Sequence, residues 1–160
     1  MPIAREHRVI LETPIGDLRV CGDASGVTRV LFDDRSDASP GDAPLMLRDC
    51  VRQLREYFFG ERRQFDSMTL AFRSTDFQRS VWDAVCEVGF GEITSYQEIA
   101  KAVGKPLAVR AVGTAVGRNN LPIIVPCHRI VSKSGELPGN YGGNPWRKEW
   151  LLRHEGVMRG

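Results

Sequence analysis

The sequence predicts a mixed α/β (α+β) chain: a small β-rich N-terminal domain with one helix, then a mainly helical C-terminal domain containing a helix-turn-helix. Three observations lead there. Short β-branched runs separated by Gly/Pro turns fill the first third, whereas capped, amphipathic stretches dominate after residue 75. At 160 residues, 42% of them hydrophobic, the chain can build one core, or a main domain with a small one appended. Charge is uneven: residues 1–104 carry 13 Lys/Arg against 17 Asp/Glu, and residues 105–160 carry 9 against 3. The net charge of +2 therefore hides a basic C-terminal portion, which points toward a polyanionic partner.

The elements follow in order. Arg8-Val9-Ile10-Leu11-Glu12 reads as a strand, turned by Thr13-Pro14-Ile15-Gly16 into a second, Leu18-Arg19-Val20-Cys21. Gly22-Asp23-Ala24-Ser25-Gly26 turns the chain again into Val27-Thr28-Arg29-Val30-Leu31-Phe32. Residues 36–44 are polar, hold two prolines and are expected to be loop. From Leu45 to Phe59 the spacing of Leu47, Val51, Leu54 and Tyr57/Phe58 predicts a helix, stopped at Gly60. Residues 62–73 form a connector with an extended apolar piece, Met68-Thr69-Leu70-Ala71-Phe72. The domain boundary falls near residue 74, giving domains 1–74 and 75–160.

Thr75 or Asp76 can cap a helix whose apolar face is Phe77, Val81, Trp82, Val85 and Cys86. Gly89-Phe90-Gly91-Glu92 interrupts it. Ser95-Tyr96-Gln97-Glu98 has the form of a capping box opening a short helix through Ile99, Ala100 and Val103 to Gly104. Lys105-Pro106 turns the chain, and a further helix is expected from Leu107 to Val116, completing a helix-turn-helix pattern. That second helix is poor in polar groups: Ala108, Ala111, Gly113 and Ala115 are small, and Arg110 is its only charge. Reading base edges in the major groove takes several long polar side chains. Its composition instead suits a sequence-indifferent contact in the minor groove, or, equally, close helix–helix packing.

Pro126-Cys127-His128-Arg129 follows the apolar run Ile123-Ile124-Val125. Thiolate, not thiol, is the nucleophile, and a free cysteine with a pKa of about 8.5 is largely inert at neutral pH without help. His128 can act as base, Arg129 adds positive charge nearby, and Pro126 stiffens the presentation of the thiol. The bland reading is a buried structural cysteine. The other cysteines, Cys21, Cys50 and Cys86, sit among apolar neighbours and read as core. No CxxC pair occurs, so neither a disulfide framework nor a zinc site is indicated, and a reducing compartment is expected. No run is long and apolar enough to span a bilayer, and residues 1–8 lack the long apolar stretch expected of a secretory signal.

With Tyr96, Arg110, Asn119 and Pro126-Cys127-His128-Arg129 in place, residues 77–156 resemble the C-terminal domain of the O6-alkylguanine-DNA alkyltransferases, or methylated-DNA–protein-cysteine methyltransferases. Phe90-Gly91-Glu92, Ser95-Tyr96-Gln97, Arg110-Ala111-Val112-Gly113, Ile123 to Val131, Gly139-Asn140-Tyr141-Gly142-Gly143 and Leu151 to Gly156 fall in the expected order. Thr13-Pro14-Ile15-Gly16 and the helix ending near Tyr57 resemble the family's N-terminal domain. The resemblance implies direct-reversal DNA repair: the base is flipped out, and its alkyl group moves irreversibly to Cys127, once per protein molecule. It implies that His128 deprotonates Cys127 through a water, that Glu155 orients the imidazole and that Asn119 holds the active-site turn. Tyr96 would donate to the guanine and press on the adjacent phosphate, the carbonyls of Cys127 and Ile130 would accept from its exocyclic amine, and the backbone near Tyr141-Gly142 would close the pocket. Arg110 would fill the vacated stack, with Ala111, Gly113, Thr114 and Tyr96 also on the DNA.

The implied partner is double-stranded DNA bearing O6-alkylguanine, with O4-alkylthymine a second candidate, bound in the minor groove without sequence preference. The protein is expected to be a cytoplasmic monomer (nuclear in a eukaryote) with no membrane association. No cofactor and no metal are expected, since His7 and Cys21 alone do not make a zinc site. Gly142, where some relatives have serine, and Leu137-Pro138 bear on alkyl-group preference. Three other readings compete. A non-catalytic alkylated-base-binding relative that recruits other repair factors would lack the acceptor thiol. A cysteine protease would leave the helix-turn-helix unexplained, and a transcriptional helix-turn-helix protein would need base-reading side chains.

Overall fold

The structure is a computed structural model that describes residues 6–32, 43–66, 68–132 and 145–157. The chain divides into two compact units between Arg73 and Ser74. In the first, β1 (His7–Thr13), β2 (Gly16–Asp23) and β3 (Gly26–Phe32) form an antiparallel sheet in the order β1-β2-β3. Thr13 Oγ1 donates to Gly16 O at 2.5 Å and accepts from Ile15 N at 3.2 Å, so the first turn is closed by its own residues. Cross-strand pairs Val9–Val20, Leu11–Leu18 and Val20–Val30 stack buried branched side chains on one face.

The predicted helix over 45–59 divides in two. Leu45–Leu47 is a 3-10 turn, with Leu47 N donating to Pro44 O at 2.8 Å, and the α-helix proper, α1, is Arg48–Phe58. Pro44 is extended and no side chain caps the start, so the chain enters the helix through the tighter turn. Leu47, Val51, Leu54 and Tyr57 are buried as expected. Gly60 follows at φ +78, a conformation that suits glycine and ends the helix. Buried Gln53 holds the connector with both ends of its amide, to Asp66 O at 2.6 Å and from Asp66 N at 3.0 Å. Val27 N donates to Thr69 O and Ala71 N to Val27 O, docking the extended apolar piece along β3. Most of the loop expected over 36–44 lies outside the described residues.

In the second unit, α2 (Asp76–Cys86) starts at Thr75 with a complete capping box: Gln78 N donates to Thr75 Oγ1 and Thr75 N to Gln78 Oε1. Val81, Trp82 and Val85 are buried, but Cys86 is exposed, contrary to the core assignment. In the last turn only Val85 is buried, and Cys86 falls outside the stripe. A two-residue strand β4 (Thr94–Ser95) pairs in parallel with β5 (Ile130–Val131), and α3 (Tyr96–Ala102) follows β4 directly. Only half of the expected capping box forms here. Glu98 N donates to Ser95 Oγ, while the Glu98 carboxylate meets Lys101 Nζ at 3.3 Å.

The next helix, α4, is Val109–Gly117, not Leu107–Val116. Ala108 N closes a turn on Lys105 O at 2.9 Å, so the regular helical bonds begin one step later, from Val112 N to Ala108 O. Gly104, at φ +75, supplies the left-handed residue between α3 and this turn. Trp82 Nε1 donates to Ala115 O at 2.9 Å and ties α2 to α4. A 3-10 turn, Cys127–Arg129, precedes β5, and α5 spans Pro145–His154. Among the described residues no helix is long and apolar enough to cross a membrane.

Candidate active site

The site is built on the segment between α4 and β5. Asn119, just past α4, is its strap. Asn119 Oδ1 accepts from Leu121 N at 2.8 Å, and Asn119 Nδ2 donates to Val125 O at 2.9 Å and meets Cys127 Sγ at 3.2 Å. Within the strapped turn, buried Ile123 sits at φ 76, in the left-handed region that a β-branched residue avoids. Such a conformation costs on the order of 1–3 kcal/mol and persists only where its surroundings impose it. Here Asn119 and the bond from Val125 N to Leu121 O impose it. The result is a rigid approach to Pro126 and Cys127.

Cys127 opens the 3-10 turn with only 5% of its surface exposed. Burial pushes its thiol up to about 12, opposed by the Asn119 hydrogen bond, so the resting sulfur is protonated and needs a base. His128 is fully buried, with Nε2 2.8 Å from Glu155 Oε2. Burial holds the imidazole below its usual range despite the carboxylate, so it is neutral at neutral pH and able to take a proton. With Nε2–H assigned as donor to Glu155, the lone pair lies on Nδ1.

Arg129 was expected to lend positive charge to the thiol, but its guanidinium is committed elsewhere. Nε and Nη2 donate to Glu155 at 2.8 and 3.0 Å, and Nη1 donates to Val88 O at 2.6 Å. The cation that bears on Cys127 electrostatically is Lys148. It is buried, donates to Ile130 O at 2.5 Å, and is drawn down to about 8 by burial, with Cys127 opposing. Sequence reasoning missed it. Its signal was the spacing Lys148, Leu151, Leu152 and Glu155, which puts a cation and a carboxylate at two ends of one buried stripe from α5.

The β4–β5 pairing sets Ser95 opposite Val131 and so carries Tyr96 beside the thiol. Tyr96 is half-buried, and its hydroxyl is raised by burial and then by the Cys127 charge. The structure thus places Asn119 on the Cys127 sulfur and Tyr96 within its electrostatic reach, with His128 on the same 3-10 turn, Ile130 just after it, and Glu155 hydrogen-bonded to His128. The carbonyls of Cys127 and Ile130 are already engaged, by Ile130 N and Lys148 Nζ, but each oxygen has a second lone pair for a ligand. Tyr141 and Gly142 lie outside the described residues. On α4, Arg110, Ala111 and Thr114 are exposed and Gly113 is half-buried, while Val112 and Ala115 face the core. Among the described residues no group of three or more His, Cys, Asp or Glu could hold a metal ion.

Comparison with known proteins accounts for both units. Residues 7–72 match the ribonuclease-like domain of 6-O-methylguanine DNA methyltransferase, and residues 76–157 match that protein's DNA binding domain. A methylated-DNA–protein-cysteine methyltransferase of Methanosarcina acetivorans is 43% identical over 94% of this chain and 98% of its own. The constitutive enzyme of that name in Bacillus subtilis is 39% identical over 91% and 93%. The crystal structure of the Mycobacterium tuberculosis O6-methylguanine methyltransferase superposes with a TM-score of 0.83 at 39% identity, covering 98% of this chain and 96% of that one. A Mycobacterium tuberculosis relative solved in complex with DNA gives 0.82 at 43% identity, covering 93% and 92%. The chain belongs to the methylated-DNA–protein-cysteine methyltransferase family.

Proposed function

We propose that the protein repairs alkylated DNA by direct reversal, moving the alkyl group from O6 of guanine to Cys127 Sγ in a single turnover. The observation that carries this is the buried thiol held by Asn119 beside a neutral His128 that is itself fixed by Glu155. In the reaction the thiol proton passes through a water to His128 Nδ1, and the thiolate attacks the alkyl carbon. The S–C bond forms as the C–O6 bond breaks, and the departing guanine regains one proton at N1. The thiol's proton balances that one, so no co-reactant is needed. The thioether has no simple route back, which makes the protein its own stoichiometric acceptor.

Inside a duplex O6 is out of reach, so the base must be extruded. The α3–turn–α4 pair acts as a helix-turn-helix with α4 toward the minor groove. Exposed Arg110 fills the vacated stack, and Ala111, Gly113 and Thr114 allow close approach. Tyr96, beside the sulfur, donates to the guanine and presses on the adjacent phosphate, and Ile130 O receives the exocyclic amine. The protein works as a monomer, in the cytoplasm. A purely base-binding role would need no acceptor thiol, so the presence of Cys127 disfavours it.

Incubation with a duplex carrying O6-methylguanine, followed by peptide mass spectrometry, tests the assignment. One methyl group on Cys127 and none after Cys127→Ser is expected. Methylation of Cys21, Cys50 or Cys86 instead would overturn it.

A further inference from the structure

The turn between α3 and α4 holds a feature that alkyl transfer does not use: Leu107 is 99% exposed. A lone exposed leucine means little on a floppy loop. This one is held out on a braced turn. Gly104 N donates to Lys101 O, Lys105 N to Ala100 O and Ala108 N to Lys105 O, each within 3.0 Å. Lys105 Nζ also lies 5.2 Å from the Phe77 ring centroid, a cation–π contact that fastens the turn to α2. Leu107 lies two residues before α4, and Arg110, Ala111 and Thr114 are exposed on that helix, with Arg118 exposed at its C-cap. The apolar side chain therefore stands at the entrance to a helix whose exposed residues are small apart from two guanidinium groups.

We propose that Leu107 is an apolar DNA contact, packing against deoxyribose in the groove that α4 enters; this rests on the reading of α4 as the DNA face. Sugar C–H edges are the same at every base pair, so leucine there adds affinity without sequence preference and without neutralising a phosphate. The rigid turn means that little side-chain and backbone ordering is needed on binding.

Anisotropy titrations of an undamaged duplex over a salt series test it, with wild type, Leu107→Ala and Leu107→Lys. Leu107→Ala should weaken binding about tenfold at every salt concentration with an unchanged salt slope, as loss of apolar contact predicts. Leu107→Lys should steepen the slope by about 0.9, one added phosphate contact. The rate with free O6-benzylguanine should be unchanged in both variants. Leu107→Ala binding within twofold of wild type overturns the proposal. So does an equal loss on the free base, which would assign Leu107 to the fold. A dimer abolished by Leu107→Ala with DNA affinity unchanged gives the surface to a second copy and also overturns it. Wild type failing to bind duplex in a salt-dependent manner would bring down the DNA-face reading itself, an outcome distinct from a neutral Leu107→Ala in a wild type that binds.

Discussion

Glu155→Gln tests the buried ionic centre behind the thiol. Glu155, Arg129 and His128 are 4%, 6% and 0% exposed, and three hydrogen bonds of 2.8–3.0 Å converge on the one carboxylate. Glutamine keeps the volume but not the charge. It leaves one oxygen where the carboxylate had two and turns an NH2 toward the Arg129 guanidinium, which can only donate, or toward His128, whose tautomer must then change. The Arg129 cation is left buried without its counter-ion, a change that costs about 3–5 kcal/mol. All three tryptophans, Trp82, Trp146 and Trp150, lie in the C-terminal unit, so their fluorescence in urea reports on the unit that holds the site. With a slope of about 2 kcal/mol per M, a loss of about 4 kcal/mol lowers the midpoint by about 2 M. The cycle of Glu155→Leu, Arg129→Met and the Arg129→Met/Glu155→Leu double variant separates pair energy from packing. Removing both charges should cost less than removing either alone. A Glu155→Gln loss below about 1 kcal/mol, or strictly additive losses, would mean that water screens the pair and the buried-centre reasoning is wrong.

Stability should fall on both sides of neutrality. His128 is depressed in the folded chain, so the unfolded chain protonates first, and stability drops as pH falls below about 6.5, by up to about 1.4 kcal/mol per pH unit. Cys50 and Cys127 are raised to about 12, so stability present below about pH 8.5 should be lost as pH rises toward that value. Thermal melts from pH 5 to 10.5 check both limbs; an acid limb unchanged by His128→Asn would remove that residue from the account. Arg110→Ala should slow repair of duplex DNA, where unstacking costs a few kcal/mol, and leave the rate on free O6-benzylguanine almost unchanged. Equal losses on the two substrates would return Arg110 to a structural role.

The parts legible in the sequence are those specified by neighbours in the chain. Thr13 and Gly16 close a hairpin turn by their own bonds, and Thr75 with Gln78 starts a helix, so strands and helix starts there follow from local chemistry. Leu45 and Leu107 misled for the matching reason. Each is apolar and near a helix start, and the backbone spends its first bonds on a tight turn before the helix begins. At the site, the adjacency of Cys127 and His128 is visible, but Glu155 lies 27 residues from His128 and entered only through family resemblance. The roles of the two cations could not be read at all. Arg129, two positions from the thiol in sequence, turns to Glu155 and Val88 O, while Lys148, 21 positions away, supplies the charge that acts on the sulfur. Nor does local propensity allow Ile123 a left-handed backbone; Asn119, reaching from just past α4 to three points around the turn, and the bond from Val125 N to Leu121 O hold it there. Where the sequence's own preference and the fold disagree, at Ile123, the chain is four residues from its reactive sulfur, and the strain is stored where a rigid thiol has to be presented.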